Sequence, residues 1–359
     1  MLIICTFLVL SSVFYFNSRV TLNEKIGQMI LVGFRGYDAP EYIKNAIANR
    51  QISGVILFDY DVIKNKPERN IKSPSQLKKL VSKLKSCSSY PIFVAIDQEG
   101  GKITRLNSEK GFPDTLSAKA LGDANNLDST YKNSEIIAKN LQSLGINLNF
   151  APVVDLNINP DNPAIGKKER SYSANLDIVV NHARQVILAH KKYNILTAIK
   201  HFPGHGSSKS DSHEGFVDAS DVWQKIELVP YRKLIKEGNV DIVMIAHIFN
   251  KHFDKDFPAT LSKNTLNILR NDMDFDGVII SDDLQMKAIA SRYALKELVL
   301  KMLNAGIDIF LVCNNLDYDE NIHIKIKNII LEGIKDGEIN RKRIDESYER
   351  IKKLKNRLK

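Results

Sequence analysis

Short apolar runs rich in Val, Ile and Phe recur at fairly even intervals along this chain, and there are eight of them. They are Gln28–Phe34, Ile52–Phe58, Ile92–Ile96, Leu148–Val154, Ile195–Ile199, Ile242–Ala246, Val278–Ile280 and Ile307–Val312. Each is continuously apolar rather than alternating, which is the pattern of strands buried on both faces, as in a parallel sheet. Amphipathic stretches with helical spacing separate most of them: Pro40–Asn49, Pro74–Ser86, Thr130–Leu144, Leu176–Lys192, Asp221–Glu237, Ser262–Asn271 and Lys287–Asn304. Two more basic amphipathic helices are expected over Ile322–Lys359. Eight strands alternating with helices predict an α/β fold, a single (β/α)8 TIM-like barrel over residues 19–359. A doubly wound open sheet is the alternative, but no glycine-rich phosphate fingerprint follows the first strand. No repeat, low-complexity tract or linker marks a second domain.

With 43% hydrophobic and 26% charged residues, the 359-residue chain has the balance of a soluble globular protein. Its formal charge of +9 is spread through lysine-rich helices, and no aromatic-interleaved basic patch points to nucleic acid. Cys5, Cys87 and Cys313 have neither metal spacing nor a disulfide framework. Leu2–Phe16 is almost wholly apolar but short of the ~20 residues a membrane span needs. Residues 1–18 are therefore expected to be an export signal or short membrane anchor, which places the protein at the periplasm or membrane. If that segment is no signal, the expectation becomes cytoplasmic.

In a barrel, polar residues just after each strand share one pocket. Strand three is followed by Asp97-Gln98-Glu99-Gly100-Gly101 and Arg105, and strand four by Asp155 and, on a long loop, Arg170. Strand five runs into Lys200-His201-Phe202-Pro203-Gly204-His205-Gly206, followed by Asp211-Ser212-His213. Three of the chain's 8 histidines thus fall within this one turn. Strand six supplies His247, strand seven Asp282 and Asp283, and strand eight Asn314 and Asn315. The set lacks a cysteine nucleophile and a Gly-x-Ser-x-Gly elbow. Carboxylates beside fixed cations and imidazoles suit a polyhydroxylated ligand and displacement at a sugar carbon.

Four of these strand ends carry a resemblance. Lys-His-Phe-Pro-Gly-His-Gly with Asp-Ser-His, Val94–Gly101, Asn149–Asp155 and Ile280–Met286 resemble, in order, motifs of the bacterial β-N-acetylglucosaminidases of glycoside hydrolase family 3. The resemblance spans almost all of the chain after residue 20. It implies a retaining glycosidase that removes terminal β-linked N-acetylglucosamine from peptidoglycan fragments or chito-oligosaccharides. It implies Asp282 as nucleophile, and Asp211 with His213 as an Asp-His pair in which His213 is acid and then base. It implies Asp97, Arg105, Arg170, Lys200 and His201 as the residues that grip the sugar. No metal or organic cofactor is implied, and a monomer is expected. Two departures stand out: Lys102 where the family commonly has arginine, and a Gly166–Tyr172 segment longer than the family's usual link to Arg-Ser.

Plainer roles remain open for several of these residues. Asp283 could cap the following helix. His205 could be structural in its turn, Glu99 could brace its loop, and Asp155 could orient a neighbour or bind sugar. His247 could bind substrate or support the nucleophile strand. Trp223 falls in the predicted helix Asp221–Glu237 and reads as packing. The competing functions are a metal-dependent barrel hydrolase using His201, His205, His213 and Asp211, and a non-catalytic sugar-binding protein on the same fold.

Overall fold

A computed structural model describes residues 20–358, so the apolar N-terminal segment and Cys5 lie outside the described residues. The eight apolar runs form β1 (Ile30–Gly33), β2 (Gly54–Leu57), β3 (Phe93–Ile96), β4 (Leu148–Asn149), β5 (Leu196–Phe202), β6 (Ile242–Ile245), β7 (Val278–Ser281) and β8 (Phe310–Val312). They pair in the order β8-β1-β2-β3-β4-β5-β6-β7, every pair parallel. A parallel bridge between Ile280 and Ile309 brings the two ends of the sheet together. The result is a nearly closed (β/α)8 barrel. Every residue of these strands is buried, on one side by the barrel interior and on the other by helices.

Helices follow the expected stripes. The helix α1 (Leu22–Gly27) precedes the barrel and is closed by a capping box between Thr21 and Glu24. In α2 (Pro74–Ser86), Ser73 caps the first turn and Pro74 occupies the first helical position. Its Leu77, Leu80, Val81 and Leu84 are buried at helical spacing. The helix α3 (Leu127–Leu144) packs on α4 (Leu176–Lys192), which begins at the Asn175 cap. Asp177 in its first turn and His190, Lys191 and Lys192 in its last agree with the helix dipole.

Four elements differ from expectation. The helix expected over Ser262–Asn271 is a short α-helix over Lys263–Asn267 continued by a π-helical turn over Ile268–Asp272. The strand expected over Leu148–Val154 pairs regularly only at Leu148–Asn149, because Pro152 has no N–H to give a ladder. The chain still runs beside β5, where Val153 bridges Lys200. The helix expected over Asp221–Glu237 starts only at α5 (Val229–Lys236), where Pro230 fits the first turn, and a 3-10 turn over Lys225–Leu228 precedes it. Trp223 therefore lies outside that helix. Its indole N–H donates to the Pro203 carbonyl at 3.1 Å and its ring meets Phe253 edge-on. The helix expected over Lys287–Asn304 is two pieces, Lys287–Ala290 and α6 (Leu295–Ala305). Two helices, α7 (Ile322–Lys335) and α8 (Arg341–Lys355), and a 3-10 turn over Asn356–Leu358 end the described chain. No helix among the described residues is long and apolar enough to cross a membrane.

Candidate active site

The ends of β3 and β5 build one buried ionic chain. Lys200, only 2% exposed, donates to Asp97 Oδ1 and Glu99 Oε1, both at 2.8 Å. Glu99 in turn takes two bonds from Arg170, from Nε at 2.9 Å and Nη2 at 2.7 Å. Such a forked pair fixes both partners in direction as well as distance. Burial opposes the charge on Glu99, yet Arg170 and Lys200 hold its carboxyl well below the usual range. Burial likewise works against the Lys200 ammonium, and Asp97 with Glu99 more than offsets it, so its pKa is raised.

Arg170 also donates from Nη2 to His201 Nε2 at 3.0 Å. A nitrogen that accepts carries no proton, so the proton of His201 is on Nδ1, which donates to Asp155 Oδ2 at 2.7 Å. Asp155 further accepts the His205 N–H at 2.8 Å. It therefore orients His201 and the loop from beneath. The ladder between β5 and β6 shifts register between Ile199 and Phe202. Regular alternation would put Lys200 and His201 on opposite faces, whereas both line one cavity here.

After β5 the chain turns through Gly204 at φ +113°, a conformation that favours glycine. A side chain on Gly206 would lie 1.7 Å from the Leu156 carbonyl oxygen, so only glycine fits there. Buried Glu227 holds this turn, accepting the Gly206 and Ser207 N–H groups and the Ser207 hydroxyl at 3.1, 3.3 and 2.6 Å. Burial pushes its carboxyl up to about 7. His205 packs into the turn, with Nε2 3.3 Å from Ser212 Oγ, and burial pushes its imidazole down to about 4.

Farther along the loop, Asp211 Oδ1 accepts from His213 twice, from Nδ1 at 2.7 Å and from the backbone N–H at 2.9 Å. Burial would raise the Asp211 carboxyl, but His213 and Lys168 together hold it far below the usual range. Asp211 is buried, whereas the His213 side chain is 52% exposed. With Nδ1 committed to Asp211, Nε2 is the nitrogen free to exchange a proton.

Asp282 follows β7. Its Oδ1 accepts the Asp283 N–H at 2.8 Å, which leaves Oδ2 unclaimed by that bond. Burial would raise its pKa, but the imidazoles of His247, His201 and His213 outweigh it, so the carboxyl is lowered and stays ionised. His247 is fully buried between the Thr260 hydroxyl and the Asp283 carbonyl, each at 2.9 Å, and braces the backbone beside Asp282. Asp283 accepts from the N–H groups of Cys313 and Gln285 at 3.0 and 3.2 Å, and burial pushes it up to about 6.

Asp97, Arg105, Arg170, Lys200, His201, His213 and Asp282 line a single cavity of about 470 Å³ at the carboxyl ends of the strands. Asp211 stands behind His213, off the cavity wall. Arg105 is loosely held, 3.8 Å from Asp59 and 3.9 Å from Asp97, so its guanidinium has donors to offer a ligand. The metal reading needs His201, His205, His213 and Asp211 to converge. They do not: both nitrogens of His201 are engaged by Asp155 and Arg170. Among the described residues, no three His, Cys, Asp or Glu side chains are grouped to hold a metal.

The profile described as the glycosyl hydrolase family 3 N terminal domain matches residues 21–354. The chain belongs to glycosyl hydrolase family 3. Among relatives, a β-hexosaminidase A of Pseudoalteromonas piscicida is 30% identical, over 94% of this chain and 62% of that protein. A β-hexosaminidase of Tolumonas auensis is 33% identical, over 80% of this chain and 83% of its own length. The solved family 3 β-N-acetylglucosaminidase of Paenibacillus sp. str. FPU-7 superposes with a TM-score of 0.86 at 33% identity, covering 94% of this chain and 63% of that one. The chain thus spans less than two thirds of the first and third of these proteins.

Within this family 3 site, strand-end reasoning missed three residues. Asp59 lies on the cavity wall directly after the β2 run and was open to the same rule. Glu227 carries no local mark in the sequence, because its role comes from a loop twenty residues upstream. Lys168, also on the wall, is the partner of Asp211 and is visible only once two distant loops meet.

Proposed function

We propose that this chain is a retaining β-N-acetylglucosaminidase acting on peptidoglycan fragments, with Asp282 as nucleophile and His213 as acid/base. One observation carries the reading: His213, tied to Asp211 at 2.7 Å, lines the same cavity as Asp282. In the first step Asp282 Oδ2 attacks the anomeric carbon while His213 Nε2 gives its proton to the departing glycosidic oxygen. The bond from that carbon to the aglycone breaks and a glycosyl ester of Asp282 forms. In the second step His213 Nε2 takes a proton from water, the water oxygen attacks the same carbon, and Asp282 leaves. Two inversions give net retention. Ionised Asp211 fixes the His213 tautomer and offsets the imidazolium charge.

Asp97, Arg105, Arg170, Lys200 and His201 hold the N-acetylglucosamine ring, since charge-assisted donors and acceptors match its hydroxyls. Names of the relatives favour a hexosamine, and the apolar segment Leu2–Phe16 favours an exported or membrane-anchored protein near the cell wall. The test is NMR of the first sugar released from a GlcNAc-β-1,4-MurNAc fragment. The β-anomer should come first and mutarotate later. Early α-anomer contradicts the mechanism, and no release from the fragment alongside turnover of chito-oligosaccharides contradicts the substrate.

A further inference from the structure

The link between β4 and α4 carries Lys168, whose ammonium lies 3.0 Å from Asp211 Oδ2. The opposite oxygen, Oδ1, is the one that serves His213. Among the described residues, Lys168 is the one lysine or arginine within ion-pair distance of Asp211. We propose that Lys168 is a positioning residue of the acid/base pair, anchoring the Asp211 carboxylate from its far side and sharing its charge with the His213 imidazole. The proposal rests on His213 being the acid/base.

Placement comes first. The front of the histidine loop is held from the β4 link by Asn159, which donates to the Ser208 carbonyl at 2.9 Å, and by Asn162, which donates to the His205 carbonyl at 2.7 Å. Behind Ser208 these two contacts end. There the loop is tied by Lys168 on Asp211 and by the Ala288 N–H on the Ser212 carbonyl at 3.2 Å. Lys168 thus helps decide where His213 stands over the cavity.

Charge comes second. Among the described residues, His213 interacts with Asp211 on its own loop, His247 after β6 and Asp282 after β7. Lys168 from the β4 link reaches it through Asp211, and Glu99, Arg170, Lys200 and His201 share its cavity wall. A carboxylate paired with imidazole alone would hold the imidazolium proton firmly. A general acid must release that proton in the transition state. An ammonium on the second oxygen draws off part of the carboxylate charge, so the proton is easier to give. The Lys168 side chain is 41% exposed, so it can do this without the cost of burying its own charge.

Lys168→Met keeps the stem and removes the charge, and Lys168→Arg keeps the charge. Each is assayed on a GlcNAc disaccharide, whose leaving group needs a proton, and on a nitrophenyl N-acetylglucosaminide, whose leaving group does not. Lys168→Met should lower kcat/KM on the disaccharide roughly threefold to fivefold, the upper end of the scale of a lost half-exposed charge contact. On the nitrophenyl substrate the change should stay below about twofold, because acid help is not needed there. The alkaline limb of its kcat/KM profile on the disaccharide should move to higher pH, and Lys168→Arg should restore the limb. Equal losses on both substrates, or an unmoved limb, overturn the proposal. His213→Ala in the same assays separates the two levels. If it too lacks leaving-group dependence, the acid/base reading fails; if it shows that dependence and Lys168→Met does not, only the role of Lys168 fails.

Discussion

Glu99 illustrates how much each residue of the cavity wall depends on its neighbours. It is buried, and among the described residues Arg170 and Lys200 are the cations that pair with it. Removing one partner of a buried ionic network leaves the other charge desolvated, at a cost of about 3–5 kcal/mol. Arg170→Met should therefore lower the unfolding free energy from urea titration by a matching amount, seen as a lower midpoint, as well as reduce kcat/KM. Arg170→Lys should recover only part of the stability, because a point charge cannot replace the fork that serves Glu99 and His201 together. An undiminished midpoint in Arg170→Met would show that the network contributes no stability. Asp97, Lys200, His201 and Asp282 were legible in the sequence because each stands within two positions of the end of an apolar run. Lys168 was not, since its partner is 43 positions away and nothing in the intervening residues marks the pairing.

At the scale of the element, the histidine loop is an irregular segment held in one shape by buried acceptors. Its glycines and proline announced a turn, but not what fills it. Glu227 does so, and its carboxyl is pushed up to about 7 by burial, from an ordinary value of 4.5. The folded state therefore keeps a proton that the unfolded chain has already released between these pH values. Stability from this group is full below about pH 4.5 and falls as pH rises towards 7, by about 3 kcal/mol in all. Glu227→Gln cannot ionise, so the variant should lack this slope. Denaturant midpoints at pH 5 and pH 8 check it: wild type should lose more stability than the variant, and equal losses would contradict the assignment. The same limit on local reading explains β4. Its apolar run is long enough for a full strand, yet Pro152 ends the regular ladder after two residues.

For the whole molecule, the barrel divides chemistry from support. The carboxyl ends of the strands carry the cavity. At the opposite end, buried Asp308 accepts from Arg270, Arg343 and Ser347 at 2.6, 3.0 and 2.7 Å, and so ties α8 to the seam between β7 and β8. Periodicity alone revealed eight strands and their burial. Closure of the ring was an inference from their number, because parallel neighbours lie far apart in sequence and leave no local signal. That closure brings Asp282 from β7 to the same cavity as the loop after β5. The central claim is that this convergence makes Asp282 the nucleophile. It is tested by incubating the enzyme with a fluorinated N-acetylglucosaminyl fluoride and mapping the labelled peptide by mass spectrometry. One sugar should be found per chain, on the peptide bearing Ser281-Asp282-Asp283 and attached to Asp282. A label on any other residue, or turnover with no label at all, would contradict the account.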